Sequence, residues 1–101
     1  MIKNYKEHLE FTSKTFPKGT SIGALLHAKR ELIEVESAMN HSEGIARVTE
    51  EFVDVFGCLI DAVNRYGISQ EQLNAAFEKK LEINKSRKWK DNGDGSYSHI
   101  K

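Results

Sequence analysis

Apolar positions recur at helical spacing in four stretches of the chain, and the third is the most heavily loaded. Placed at about 100° per residue, Ile45, Val48, Phe52, Phe56, Leu59 and Val63 share one side of a helix within Ser42–Gly67. Val53, Val55 and Ile60 widen that side to roughly half the circumference, more than the roughly 100° stripe of an ordinary surface helix. Glu51 and Asp54 stand three apart on the edge of this face, with Asp61 further along it. The rest of the chain reads as what is wrapped around this helix.

A short first helix is expected from about Lys3 to Lys14, with Tyr5, Leu9 and Phe16 at helical spacing. Phe16-Pro17-Lys18-Gly19-Thr20 breaks it, because proline disfavours helix at the residue before it and glycine suits a turn. The second helix runs from about Ile22 or Ala24 to Met39, with Leu25, Ala28, Leu32, Val35 and Met39 as its core stripe and Glu31 and Glu34 beside it. Asn40-His41-Ser42 is so short a link, with capping residues, that helices two and three form an antiparallel hairpin. Gly67 is the expected left-handed C-cap of the third helix. Ser69 with Gln72 opens a fourth helix that continues to about Arg87 or Lys88. Asp91-Asn92-Gly93-Asp94-Gly95-Ser96 cannot continue it, so an irregular tail is expected over about 90–101. No strand pattern exceeds a few residues. The predicted class is all-α: an antiparallel helical hairpin plus flanking helices in one domain over 1–101, a four-helix-bundle-like core completed by oligomerisation.

Length and charge narrow the picture. A chain of 101 residues supports one modest core. Its 15 basic and 15 acidic residues cancel, which argues against nucleic acid as a partner, since such binding rests on many Lys and Arg contacts to phosphate. Cys58 stands alone inside an apolar helix, so there is no disulfide framework, and it reads as a small core residue in a reducing compartment. The amino terminus has no apolar signal region and no run of eighteen apolar residues occurs, so no membrane association and a cytoplasmic location are expected.

Chemistry is concentrated in two places. Glu31/Glu34 and Glu51/Asp54 are acid pairs at i, i+3 spacing on the two arms of the hairpin, each aimed to one side of its helix. Antiparallel arms can bring the four carboxylates together, and such a cluster is stable only around a cation. Oxygen ligands alone suit a hard ion, Mg²⁺ with Mn²⁺ as the alternative. Ordinary solvated helix faces would give the same spacing. On the fourth helix, Lys80, Asn84 and Arg87 fall in one row on or beside the apolar side formed by Leu73, Ala76, Phe77 and Leu81. Polar groups there need partners. Phosphate oxygens are one choice, with Arg87 able to bind two at once; ion pairing with nearby acids is the other.

Glu31-x-x-Glu34, Glu51-x-x-Asp54 and Lys80-x-x-x-Asn84-x-x-Arg87, in this order, resemble the MazG-like all-α nucleoside triphosphate pyrophosphohydrolases. Thr15-Phe16, Leu26 to Glu31, Asn64 to Ile68, Arg87-Lys88-Trp89 and the ending Gly95 to Ile100 look most like the phage and bacterial dATP/dGTP pyrophosphohydrolase-like subfamily. Arg30 departs from the pattern, since many relatives carry another Glu before the first acidic pair, and this leaves the number of metal ions open. The resemblance implies hydrolysis between the α and β phosphates to the monophosphate and pyrophosphate, for nucleotide-pool control or house-cleaning. It also implies Mg²⁺ held by Glu31, Glu34, Glu51 and Asp54 as the catalytic centre. Lys80 and Arg87 would hold phosphate, and Asn84 a phosphate or sugar hydroxyl. His27 would orient a carboxylate or the water, or serve as a core histidine. Trp89 would stack on a base or, first, close the end of the fourth helix.

A homo-oligomer, a dimer or a dimer of dimers, is expected because one chain cannot cover so broad an apolar face. The competing function is a non-catalytic helical interaction or regulatory module. A di-iron bundle is disfavoured, since none of His8, His27, His41 or His99 follows a Glu by three. Asp91 to Gly95 does not match a calcium loop.

Overall fold

The computed structural model describes residues 2–101. Four helices, α1 (Tyr5–Thr15), α2 (Ser21–Asn40), α3 (Ile45–Arg65) and α4 (Gln70–Ser86), precede two short strands, β1 (Trp89–Asp91) and β2 (Tyr97–His99). The all-α class is therefore correct. Among the described residues no helix is long and apolar enough to cross a membrane. The chain divides into one compact unit ending at Ser69 and a second from Gln70 to Lys101.

In the first unit α2 and α3 pack along their length as the expected hairpin, and α1 lies on α3. Thr20 caps α2, its hydroxyl accepting the Gly23 N–H at 2.9 Å, and Ser21 Oγ donates to the Ala62 carbonyl of α3 at 2.8 Å. The connection reverses through Ser42 at φ 50 and Gly44 at φ 93. Gly44, rather than Ser42, precedes the first turn of α3, because the reversal needs a backbone that a side chain rarely adopts there. Gly67 ends α3 as predicted, at φ 97, with the Ile68 N–H reaching back to the Val63 carbonyl at 3.2 Å.

The hairpin seam differs from the expected stripes. Its buried positions are Ala28, Val35 and Ala38 on α2 and Val55, Ile60 and Ala62 on α3. Glu51, at 5% exposure, is among them. Of the stripe expected on α2, Leu25, Leu32 and Met39 are exposed instead. On α3 the run Ile45, Phe52, Phe56 and Leu59 is also exposed, with Ile45 at 88% and Phe56 at 54%. Each helix is turned so that mostly small and β-branched side chains, with Ile60, are buried, while many of the large apolar ones stay exposed.

One side chain ties the α1–α2 connection to the end of α3. Arg65 donates to Asp61 Oδ1 at 2.8 Å, to the Gly19 carbonyl at 2.8 Å, to Phe16 at 2.9 Å and to Thr12 at 3.2 Å. Gly19 is required for this approach: a Cβ there would stand 2.7 Å from the Arg65 guanidinium carbon. The planar fork of arginine suits several acceptors at once in a way lysine does not.

In the second unit the segment expected as an irregular tail contains an antiparallel hairpin, with Trp89 opposite His99 and Asp91 opposite Tyr97. Glycines in a run of polar residues hid it from a periodicity argument. Gly93 and Gly95 take φ 83 and 91 in its loop, and Asn92 Nδ2 donates to the Ser96 and Ser98 hydroxyls. Asp94 accepts from the Ser96 N–H and hydroxyl, which lowers its pKa below the usual carboxylate range.

Arg65→Met should destabilise the protein by about 3 kcal/mol in urea unfolding, since it strands the Asp61 carboxylate and three carbonyls together. Arg65→Lys should recover less than half of that loss.

Candidate active site

Glu31 sits on the face of α2 that carries Ala28, Val35 and Ala38, and Glu51 is one turn from Val55 on the facing side of α3. With Asp54, a further three residues along α3, each offers a carboxylate oxygen, and the three atoms lie within 4.8 Å of one another. Glu51 is buried, Glu31 partly buried and Asp54 exposed, so the cluster opens to solvent at one side. Three of the four acids expected together are thus brought together. Glu34 is exposed on α2, outside this group.

Two basic side chains contact the cluster. His27 Nε2–H donates to Glu31 Oε1 at 3.1 Å, and the His27 side chain is 53% exposed. It is therefore a surface side chain paired with a carboxylate and not a core histidine. Arg47 Nη2 donates to Glu51 Oε1 at 2.7 Å. Arg47 was not picked out by the sequence argument, although its i, i+4 spacing to Glu51 was visible.

A cavity of about 530 Å³ adjoins the acids, with Glu31 and Asp54 in its wall beside Phe11, Phe16, His27 and Cys58. Phe11 and Phe16 meet edge to face, ring centroids 6.0 Å apart. His8 also lines it, donating Nε2–H to the Gly57 carbonyl at 3.0 Å. Only a donating nitrogen satisfies a carbonyl, so the partner fixes the tautomer. Gly57 leaves room for this ring, since a Cβ would stand 3.1 Å from His8 Cε1. No local sequence signal links His8 to α3. Burial pushes the Cys58 thiol pKa up, and the charges of Glu31, Asp54 and Asp61 raise it further against Arg30. Both effects disfavour the thiolate that a nucleophile needs, and Cys58 is a half-buried wall residue.

The remaining expected residues lie in the second unit. Lys80 is exposed on α4. Arg87 Nη1 donates to Asn84 Oδ1 at 3.2 Å, and no acid within this unit pairs with it. Trp89 Nε1–H donates to the Asn84 carbonyl at 3.1 Å and the ring meets His99 edge to face. Its indole closes the end of α4.

The donor set, three carboxylate oxygens from two facing helices with no sulfur, fits a hard divalent cation. Comparison with known proteins points the same way. A family model described as dATP/dGTP pyrophosphohydrolase matches residues 4–101. A curated relative from Salmonella phage PMBT28, described as a dATP/dGTP diphosphohydrolase, is 32% identical over 90 residues. That match takes in 89% of this chain and 28% of the relative, so the chain spans less than a third of the relative's length. No solved structure matches.

Removing one charge from the cluster relieves like-charge repulsion. Asp54→Asn should therefore raise stability in chelator by about 1 kcal/mol, read as a higher melting temperature. The same variant should lose most of the stabilisation that Mg²⁺ or Mn²⁺ gives the unaltered protein.

Proposed function

The chain belongs to the dATP/dGTP pyrophosphohydrolase family, and from that membership we propose that it hydrolyses a purine deoxynucleoside triphosphate between the α and β phosphates. Water enters at the α phosphorus, the α–β bridging bond breaks, and the products are the monophosphate and pyrophosphate. The observation that carries this reading is the three-acid cluster on facing helices, opening onto a cavity large enough for a nucleoside.

The proposed ligand set for a divalent cation, Mg²⁺ or Mn²⁺, is Glu31, Glu51 and Asp54, with Glu34 in an outer position. Such a cation neutralises phosphate charge and activates water. His27 holds the Glu31 carboxylate in one orientation. The Phe11–Phe16 pair offers the base an apolar wall. Lys80 and Arg87 are assigned to the phosphates and Asn84 to a phosphate or sugar hydroxyl. Trp89, whose N–H is engaged by the Asn84 carbonyl, is assigned first to closing α4 and second to stacking on a base. The physiological reading is control of the deoxynucleotide pool in the cytoplasm.

Assembly is part of the proposal. The exposed run Ile45, Phe52, Phe56 and Leu59 on α3 supports a homo-oligomer of paired hairpins, a dimer or a dimer of dimers.

A pyrophosphate-release panel tests the activity: dATP and dGTP should be turned over with Mg²⁺ or Mn²⁺, and Asp54→Asn should abolish turnover while leaving the helical circular dichroism unchanged. A purified chain that leaves every triphosphate intact with either ion would instead favour the helical interaction module.

Arg87→Ala should leave melting of the nucleotide-free protein nearly unaltered, because its partner in the second unit is the neutral Asn84. It should weaken binding of a non-hydrolysable triphosphate about tenfold, the worth of one charge-assisted contact. A large loss of stability with unchanged nucleotide affinity would make Arg87 a structural residue.

Sedimentation at micromolar concentration should show no monomer, and Phe56→Asp should produce one.

A further inference from the structure

Glu51 is 5% exposed and is grouped with two other carboxylates, Glu31 across the seam on α2 and Asp54 on its own helix. Arg47, one turn earlier on α3, places Nη2 at 2.7 Å from its Oε1. The same guanidinium reaches two more acids at longer range, Glu50 through Nη1 at 3.5 Å and Glu43 through Nε at 3.8 Å. The Arg47 side chain is 53% exposed, and Glu43 and Glu50 are exposed at 41% and 71%. One cation is thus shared between a buried carboxylate of the cluster and two solvated carboxylates outside it.

We propose that Arg47 is the resident counter-ion of the carboxylate cluster: it stabilises the cation-free protein and holds divalent-cation affinity below what the acids alone would give. The inference rests on the reading of Glu31, Glu51 and Asp54 as a cation site. Three carboxylates whose oxygens lie within 4.8 Å repel one another, and Arg47 offsets part of that repulsion. A divalent ion bound by the same oxygens meets the guanidinium only one carboxylate away. Arginine cannot shed its proton to escape that contact. The guanidinium therefore has to loosen its hold on Glu51 or remain there against repulsion, and either lowers affinity. An orienting benefit is smaller, because burial already restrains Glu51. Glu43 and Glu50 give Arg47 somewhere to go, so the outer acids favour cation binding without touching the ion.

Calorimetric titration of Mn²⁺ and Mg²⁺ into nucleotide-free protein, stripped of metal by chelator, tests this together with melting curves. Arg47→Gln should bind Mn²⁺ about tenfold more tightly, as expected from removing one positive charge beside the site, and should melt lower when cation-free. Glu43→Gln/Glu50→Gln should move affinity the opposite way, weakening it several-fold by confining the guanidinium to Glu51. Arg47→Lys should stay near the unaltered protein. Unchanged or weaker Mn²⁺ binding by Arg47→Gln overturns the proposal, the weaker case making Arg47 an orienting group. Where Arg47→Gln fails to fold, unchanged affinity in the double variant overturns it equally. Unaltered protein that binds neither ion removes the cation-site reading and this inference with it. Binding by the unaltered protein that neither variant changes removes only the role of Arg47.

Discussion

Like charge held inside a helix seam is the constraint on which the first unit turns. Two carboxylates about 5 Å apart repel by about 3 kcal/mol at an effective dielectric near 20, a large share of the stability of a small domain. Glu31 and Glu51 form such a pair, and exposed Asp54 adds two more that solvent screens to a smaller cost. The chain meets this with the Arg47 guanidinium on Glu51, a hydrogen bond from His27 to Glu31 and an opening to solvent at Asp54. The buried positions of the seam are otherwise mostly small or β-branched, Ala28, Val35 and Ala38 on α2 and Val55 and Ala62 on α3, with Ile60 the larger exception. Small residues leave space where carboxylates must meet something other than each other. Under the proposed function, that is the arrangement of a site that serves chemistry at a cost in stability.

The cavity beside the acids depends on a second constraint at the far end of α3. Arg65 collects the carbonyls of Thr12, Phe16 and Gly19 while held by Asp61. Those carbonyls mark the end of α1 and the turn into α2, and Phe16 and Gly19 also line the cavity. The wall facing the acids is therefore fixed by one guanidinium, and the width of the cavity is tied to the Arg65–Asp61 ion pair, whose carboxylate also lines it. Gly57 does similar work on a smaller scale, since its missing side chain lets His8 sit against α3.

What the sequence made legible follows from how local each feature is. Helix positions, the short reversal before α3 and the cap at Gly67 depend on neighbouring residues, and each was readable from spacing and turn chemistry. The pairing of Glu31 with Glu51 and Asp54 was readable because a short link forces antiparallel arms. The rotation of each helix was not. Periodicity marks Leu25, Leu32, Phe52 and Phe56 as a buried side, but it cannot say whether the partner belongs to the same chain. Glu34 stands three from Glu31, as Asp54 does from Glu51, and yet lies outside the cluster, because the rotation of α2 leaves Glu34 exposed, and spacing does not specify rotation. Contacts such as His8 to Gly57 and Arg65 to Gly19 join residues 49 and 46 apart in sequence and leave no local trace.

The rotation that misled the periodicity argument is also what links the acids to the exposed apolar surface. A helix has one circumference to divide. On α3, Glu51, Val55 and Ala62 turn toward α2, and that choice carries Phe52, Phe56 and Leu59 away from the seam. Had the large residues filled the seam, Glu51 would have been displaced toward solvent and the three carboxylates could not have converged from two helices. Had the acids been placed on the outer face instead, no packed scaffold would hold them in register. Giving the inner side to the acids and the small residues leaves an apolar stripe that a chain of 101 residues does not cover by this hairpin alone. Under the proposed assembly the uncovered stripe is the consequence of building a carboxylate site into the seam of so short a hairpin, and site and interface are two sides of one helix.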